Sequence, residues 1–194
     1  MDEWNTQDSI EFGSSMPAET NQLNNDWTLW YECRPEAVEE DAEWSSQQKE
    51  VASFSTVEDF WRVYNNILPV RELEANCNYH YFKKGITPSW EDENNVNGGS
   101  WRFGVRPNDL ILEDKWLSVL LSTIGESLDP SGNSICGISY VMKGKTARME
   151  VWVKNVEDTS VIATIGRRLR SLNIAEKKEK LEFRKHGGDV LYIL

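Results

Sequence analysis

The sequence predicts an α+β domain: a curved, mainly antiparallel sheet with three helices on one face, the other face left free to form a concave site. Two observations predict it. Short runs with period-two alternation recur between turn-rich flanks: WTLWYEC, KEVASFS, CNYHYFK, WRFGVR, CGISYVM, RMEVWVK and KLEFRK. Three segments with helical periodicity are scattered among them, which argues against a regular βαβ repeat.

Taken in order, residues 1–24 are polar, acidic and aperiodic and are expected to form a disordered tail, so the domain is placed at 25–194. The first helix is expected to open with a capping box, Ser55-x-x-Glu58, and to run to Pro69. At ~100° per residue, Phe60, Val63, Tyr64 and Ile67 form the middle of its apolar stripe, with Val57, Trp61 and Leu68 along one margin. The second helix starts near Asp114 and ends near Gly125. The third, TSVIATIGRRLRSL, has Val161, Ile162, Ile165, Leu169 and Leu172 on one side and Arg167, Arg168 and Arg170 off it.

The 194 residues suffice for one domain with a full core, and no apolar run approaches membrane-spanning length. The N-terminus MDEWNTQDSI lacks the basic start and apolar stretch of a signal peptide. Cys33, Cys77 and Cys136 are odd in number and widely spaced, so reduced thiols in the cytosol or nucleus are expected rather than a zinc site or disulfide framework. The net charge of -11 divides into -14 over residues 1–97 and +3 over 98–194. Such a chain repels long nucleic-acid backbones, so any such contact must be local and chemically specific. Nine tryptophans exceed what a core of this size needs, and the surplus points to a surface on which flat groups stack.

Several catalytic motifs fail. Gly144-Lys145-Thr146 resembles the end of a phosphate-binding loop, but the preceding glycine, Gly137, is at the wrong spacing and a strand follows where a helix must start. With only His80 and His186 and no Gly-x-Ser-x-Gly, a nucleophile triad has little support. Pairs such as Glu39-Glu40 and Glu91-Asp92 read as solvated surface. No enzyme, cofactor or metal is called for.

The informative string is Trp90-Glu91-Asp92-Glu93-Asn94, between Thr87-Pro88 and Asn97-Gly98-Gly99. A large aromatic residue in a Pro/Gly-bounded loop is expected to be exposed. An indole beside a carboxylate suits a cationic purine: the ring face attracts the positive charge, and the carboxylate accepts the N1 and N2 protons of guanine. On the strand RMEVW, Arg148 and Trp152 are four apart and share a face, ~13 Å from each other.

The strings WTLWYE, STVEDFWRVYNNI, FKKGITPSWEDENN with GGSW, KWLSVLLSTIGESLD, RMEVWVKN and IGRRL resemble, in this order, the eukaryotic translation initiation factor 4E family of mRNA cap-binding proteins. The resemblance spans about residues 25–175. It implies a cupped antiparallel sheet backed by three helices, and a pocket for the 7-methylguanosine cap at the 5′ end of mRNA. The family's stacking pair falls on Trp44 and Trp90, its guanine-reading carboxylate on Glu91, and the Trp90 main-chain N–H is expected to meet the guanine O6. Trp152 is placed near the methylated base, Arg148 and Lys143 at the phosphates, with Lys145 assisting. One position departs: where the family often has a basic residue before the tryptophan of GGxW, this chain has Ser100.

On the convex side the family receives a helical peptide with a Tyr-x-x-x-x-Leu-apolar motif, as in the scaffold subunit 4G. The corresponding positions are Val57, Trp61, Leu117, Leu121 and Gly125. The resemblance thus implies a cytoplasmic initiation factor, with the nucleus as a second compartment, monomeric by itself, off the membrane and without catalysis. Two alternatives stand beside it: a cap-binding translational repressor, and an interaction module with a non-functional pocket.

Overall fold

A computed structural model describes residues 20–34, 48–174 and 179–194. Eight strands form one sheet: β1 (Gln22–Cys33), β2 (Gln48–Thr56), β3 (Cys77–Lys83), β4 (Gly99–Val105), β5 (Ile135–Lys143), β6 (Thr146–Val153), β7 (Glu182–Lys185) and β8 (Val190–Ile193). Their order is β2-β1-β3-β5-β6-β4-β7-β8, with every neighbouring pair antiparallel. Three helices are α1 (Val57–Tyr64), α2 (Leu112–Ile124) and α3 (Thr159–Ser171). The predicted α+β architecture is the one observed.

Alternation divides the sheet into two faces. Trp27, Leu29, Tyr81, Ile138, Tyr140, Met149, Val151, Trp101 and Phe183 point to the convex face and join the helices in one core. Phe60 of α1 meets Phe54 edge-on at 5.7 Å, and Trp116 of α2 meets Tyr81 at 6.0 Å and Tyr140 at 5.9 Å. The Trp101 indole donates to the Ile162 carbonyl of α3 at 3.0 Å. Close approach there depends on Gly166, where a Cβ would lie 2.4 Å from the Trp101 ring. The opposite face carries a small apolar cluster of Phe82, Cys136 and Trp152, flanked by Trp30 and Ile86, and beyond it mostly polar side chains.

Four local expectations are corrected. The cap of α1 is Thr56, whose hydroxyl accepts from the Asp59 N–H at 3.1 Å; Ser55 still belongs to β2, and Glu58 instead accepts from the Asn21 N–H at 3.0 Å. The helix stops at Tyr64, because Asn66 closes a tighter turn on Val63 and bonds Arg62 through its amide, and Leu68 precedes a proline. Strand β1 begins at Gln22, within the last residues assigned to the tail; residues 1–19 lie outside the described residues. Finally, register sets Cys33 opposite Cys77, with Cα atoms 4.0 Å apart, and the two sulfurs are bonded, so these thiols are not reduced. Cys136 remains a free, buried thiol, pushed up to about 11 by that burial.

Candidate nucleotide-binding site

The concave face is organised by cross-strand register into three rows. The first contains Phe82, Gly137, Trp152, Ser100 and Arg184 on β3, β5, β6, β4 and β7. The second, one step along each strand, contains Trp30, His80, Ser139, Glu150 and Arg102. The third contains Glu32, Asn78, Val141 and Arg148. A pocket of about 850 Å³ opens over these rows, and the loop after β3 closes one side with Ser89, Trp90 and Glu91.

That loop is held by its own polar groups. Asp92 accepts the Thr87 and Asn94 N–H groups at 2.8 and 2.9 Å, while the buried Asn95 amide donates to the Thr87 and Ser89 carbonyls at 2.9 and 2.8 Å. With the backbone so fixed, Trp90 remains 48% exposed. Glu91 is exposed and bonded by the Ser89 hydroxyl, which holds its carboxyl below the usual carboxylate range and so keeps it ionised.

The floor is buried yet ionic. Glu150 receives the Arg148 Nε and lies 3.4 Å from the Arg102 Nε, whose hydrogen bond goes to the Ser100 hydroxyl at 2.8 Å. Arg102 therefore lies on the same face as Ser100, two residues on, and returns a guanidinium to the strand that lacks the expected basic residue. Across the floor, Ser139 Oγ and His80 Nδ1 are 2.8 Å apart, and His80 Nε2 is 3.2 Å from Glu32 Oε2. Burial raises the Glu32 pKa, but hydrogen bonds from His80 and Asn78 outweigh it and leave the carboxyl lowered. His186, in the turn between β7 and β8, lies 4.2 Å from Trp152 and 6.2 Å from Trp90 between ring centroids.

Of the residues singled out in the sequence, Trp90, Glu91, Arg148 and Trp152 line this one pocket. Lys143, at the end of β5, and Lys145, in the β5–β6 turn, are exposed and outside the lining. Trp44 lies outside the described residues. Sequence reasoning missed His186, Arg102, Ser139 and His80. It also passed over Glu150, although period-two spacing places that residue on the face of Arg148 and Trp152. The structure also joins Ser139, His80 and Glu32 in a chain of the residue types used by nucleophilic hydrolases, which the sequence did not foreshadow. Ser139 is fully buried in the middle of a strand paired on both sides, so its amide belongs to the sheet.

Comparison with known proteins decides the family. The eukaryotic initiation factor 4E family model matches residues 22–190. The chain is 38% identical over 167 residues to eukaryotic translation initiation factor 4E-2 of Schizosaccharomyces pombe, covering 86% of this chain and 68% of that protein. It is 37% identical to eukaryotic translation initiation factor 4E of Candida albicans, covering 92% and 83%. The chain belongs to the eukaryotic initiation factor 4E family. Among solved 4E structures, C. elegans eIF4E-3, complexed with the 4E-binding protein Mextli and a cap analog, aligns with a TM-score of 0.81 at 32% identity, covering 91% of this chain and 100% of that one. Ascaris suum eIF4E-3 with m7G cap aligns at 0.82 and 31%, covering 91% and 98%.

The remaining positions singled out in this 4E protein lie on or at the ends of α1 and α2. Val57 and Leu121 are exposed, Trp61 and Leu117 are half-buried, and Gly125 caps the C-terminal end of α2. Trp61 packs edge-on against Phe60 at 5.0 Å and Tyr64 at 5.8 Å, which fixes its indole while leaving part of it in solvent.

Proposed function

We propose that this protein binds the 7-methylguanosine cap of mRNA and recruits a scaffold subunit for translation initiation in the cytoplasm. The carrying observation is the half-exposed Trp90 beside an ionised Glu91, at the mouth of a pocket whose floor runs from Trp152 to Arg148. The methylated, cationic guanine stacks on the Trp90 indole, with Trp44 as the second face of the sandwich. Glu91 accepts from guanine N1 and N2, a charge-assisted bidentate pair that adenine cannot form. Trp152 packs near the methyl group. Arg148 meets the phosphates, aided by Lys143 and Lys145 from the neighbouring turn.

The action is binding without turnover. On the convex face, Val57, Trp61, Leu117, Leu121 and Gly125 receive an amphipathic helix of the scaffold, with Trp61 as anchor. The test is a titration with 7-methylguanosine triphosphate and with unmethylated GTP, followed by tryptophan fluorescence. Tighter binding of the methylated nucleotide, by at least tenfold, is expected. Equal binding of the two refutes the proposal.

A further inference from the structure

Two serines line the pocket, and they differ in access. Ser139 is fully buried in the sheet, whereas Ser89 is half-buried on the loop at the mouth. The Ser89 hydroxyl donates to Glu91 Oε2 and accepts from the Glu91 N–H at 3.3 Å. Among the described residues no other side chain bonds the Glu91 carboxylate. With the backbone fixed by Asp92 and Asn95 as described above, this pair of bonds orients that carboxylate.

The sequence around Ser89 has a second property. Glu91, Asp92 and Glu93 follow it at the second, third and fourth places, and no Lys or Arg occurs from Gly85 to Trp101. Glu91 and Glu93 are exposed. A serine trailed by carboxylates on a surface loop complements a protein kinase whose substrate groove is basic. The same hydroxyl is thus presented to modifying chemistry and bonded to the group assigned to guanine.

We propose that Ser89 is a phosphorylation site, through which an acid-directed protein kinase switches cap binding off. The inference rests on the cap reading above. In the transfer, Ser89 Oγ attacks the γ-phosphorus of ATP, an O–P bond forms, the bond to the ADP oxygen breaks, and the hydroxyl proton passes to the kinase's base. The ester oxygen has no proton left to donate, so Glu91 loses its partner. A group of roughly −1.5 to −2 charge then stands beside the carboxylate, and repulsion turns Glu91 away from the guanine edge. The loop itself holds no cation to neutralise it. Attraction of the new phosphate for the cationic base does not compensate, because the polyphosphate of the cap carries more negative charge than its base carries positive.

The test treats the full chain with ATP and a serine/threonine kinase that requires an acid three places after its acceptor, and locates the phosphate by mass spectrometry. Affinity for 7-methylguanosine triphosphate is measured by calorimetry before treatment, after it, and after a phosphatase has removed the phosphate. Phosphate on Ser89, a loss of affinity of about tenfold or more, and recovery with the phosphatase are expected. Recovery separates switching from unfolding. The affinity of Ser89→Ala, whatever its level, should be the same before and after the kinase. No phosphate on Ser89, an affinity within twofold once it is modified, or an equal loss in Ser89→Ala overturns the proposal while cap binding stands. If the untreated chain does not bind the nucleotide, the cap reading itself has failed, and this inference with it.

Discussion

The His186 imidazole lies 4.2 Å from the Trp152 indole, centroid to centroid, tilted by 39°, with both ring nitrogens enclosed and without a hydrogen-bond partner among the described residues. A charge on that ring would have no solvation. Burial, with Arg102 adding to it, pulls the His186 pKa down to about 4. The ring is therefore neutral beside the site proposed for a cationic base, where a second cation would repel it.

This placement makes stability depend on pH. The unfolded chain takes up a proton below about pH 6.5, whereas the folded protein does so only near 4, so stability is full above 6.5 and falls as the pH drops towards 4. After allowance for partial solvent access, the loss is on the order of 2 kcal/mol. Replacing His186 by Phe keeps a ring against Trp152 and removes the titration. The melting temperature of wild type should fall more between pH 7 and pH 5 than that of the variant. Parallel curves would count against the assignment.

Trp90→Ala removes one face of the proposed sandwich. The half-exposed indole makes little contribution to the core, so the fold should persist while cap affinity drops by ~2 kcal/mol or more. Binding within twofold of wild type would place the pocket elsewhere.

Glu91→Gln preserves shape but loses the charge-assisted pair. Cap affinity should fall by ~1.5–3 kcal/mol, and the preference for methylated guanosine over methylated adenosine triphosphate should narrow. A wild type that binds both bases equally would exclude this function for Glu91.

Trp61→Ala should leave cap affinity almost unchanged, because Trp61 joins the core on the convex face while the pocket opens on the other. A helical scaffold peptide should lose ~2 kcal/mol or more. Because Trp61 also packs on Phe60 and Tyr64, the melting temperature is recorded in parallel. Unchanged peptide affinity would remove these positions from the docking surface.

Salt separates local recognition from a broad basic surface. Two or three phosphate contacts, from Lys143, Arg148 and Lys145, give a log–log slope of about -1.4 to -2.1 at most. Glu150 already engages Arg148, and a short ligand condenses few counterions, so the measured slope should be shallower. Double substitution of Lys143 and Arg148 by Ala should flatten it further. A slope steeper than about -4 between ~50 and ~300 mM salt would contradict the site described.

The sequence by itself determined what is local. Period-two alternation located the core of seven strands, helical periodicity located α1, α2 and α3, and the Pro/Gly-bounded loop exposed Trp90 beside Glu91. Even so, β8 is too short and too exposed to register, and neighbouring hydroxyls at Ser55 and Thr56 shifted the α1 cap by one residue. Tertiary structure alone decided which strands are neighbours and in what register. That choice brings Ser139 to His80 and to Glu150, 59 and 11 positions away in the chain, and joins Cys33 to Cys77. It also delivers His186 from the far side of β4 to Trp152. The reason is physical: alternation fixes which face a side chain takes, but register is set by contacts between strands distant in sequence, and a slip of one residue would send every floor residue to the other face.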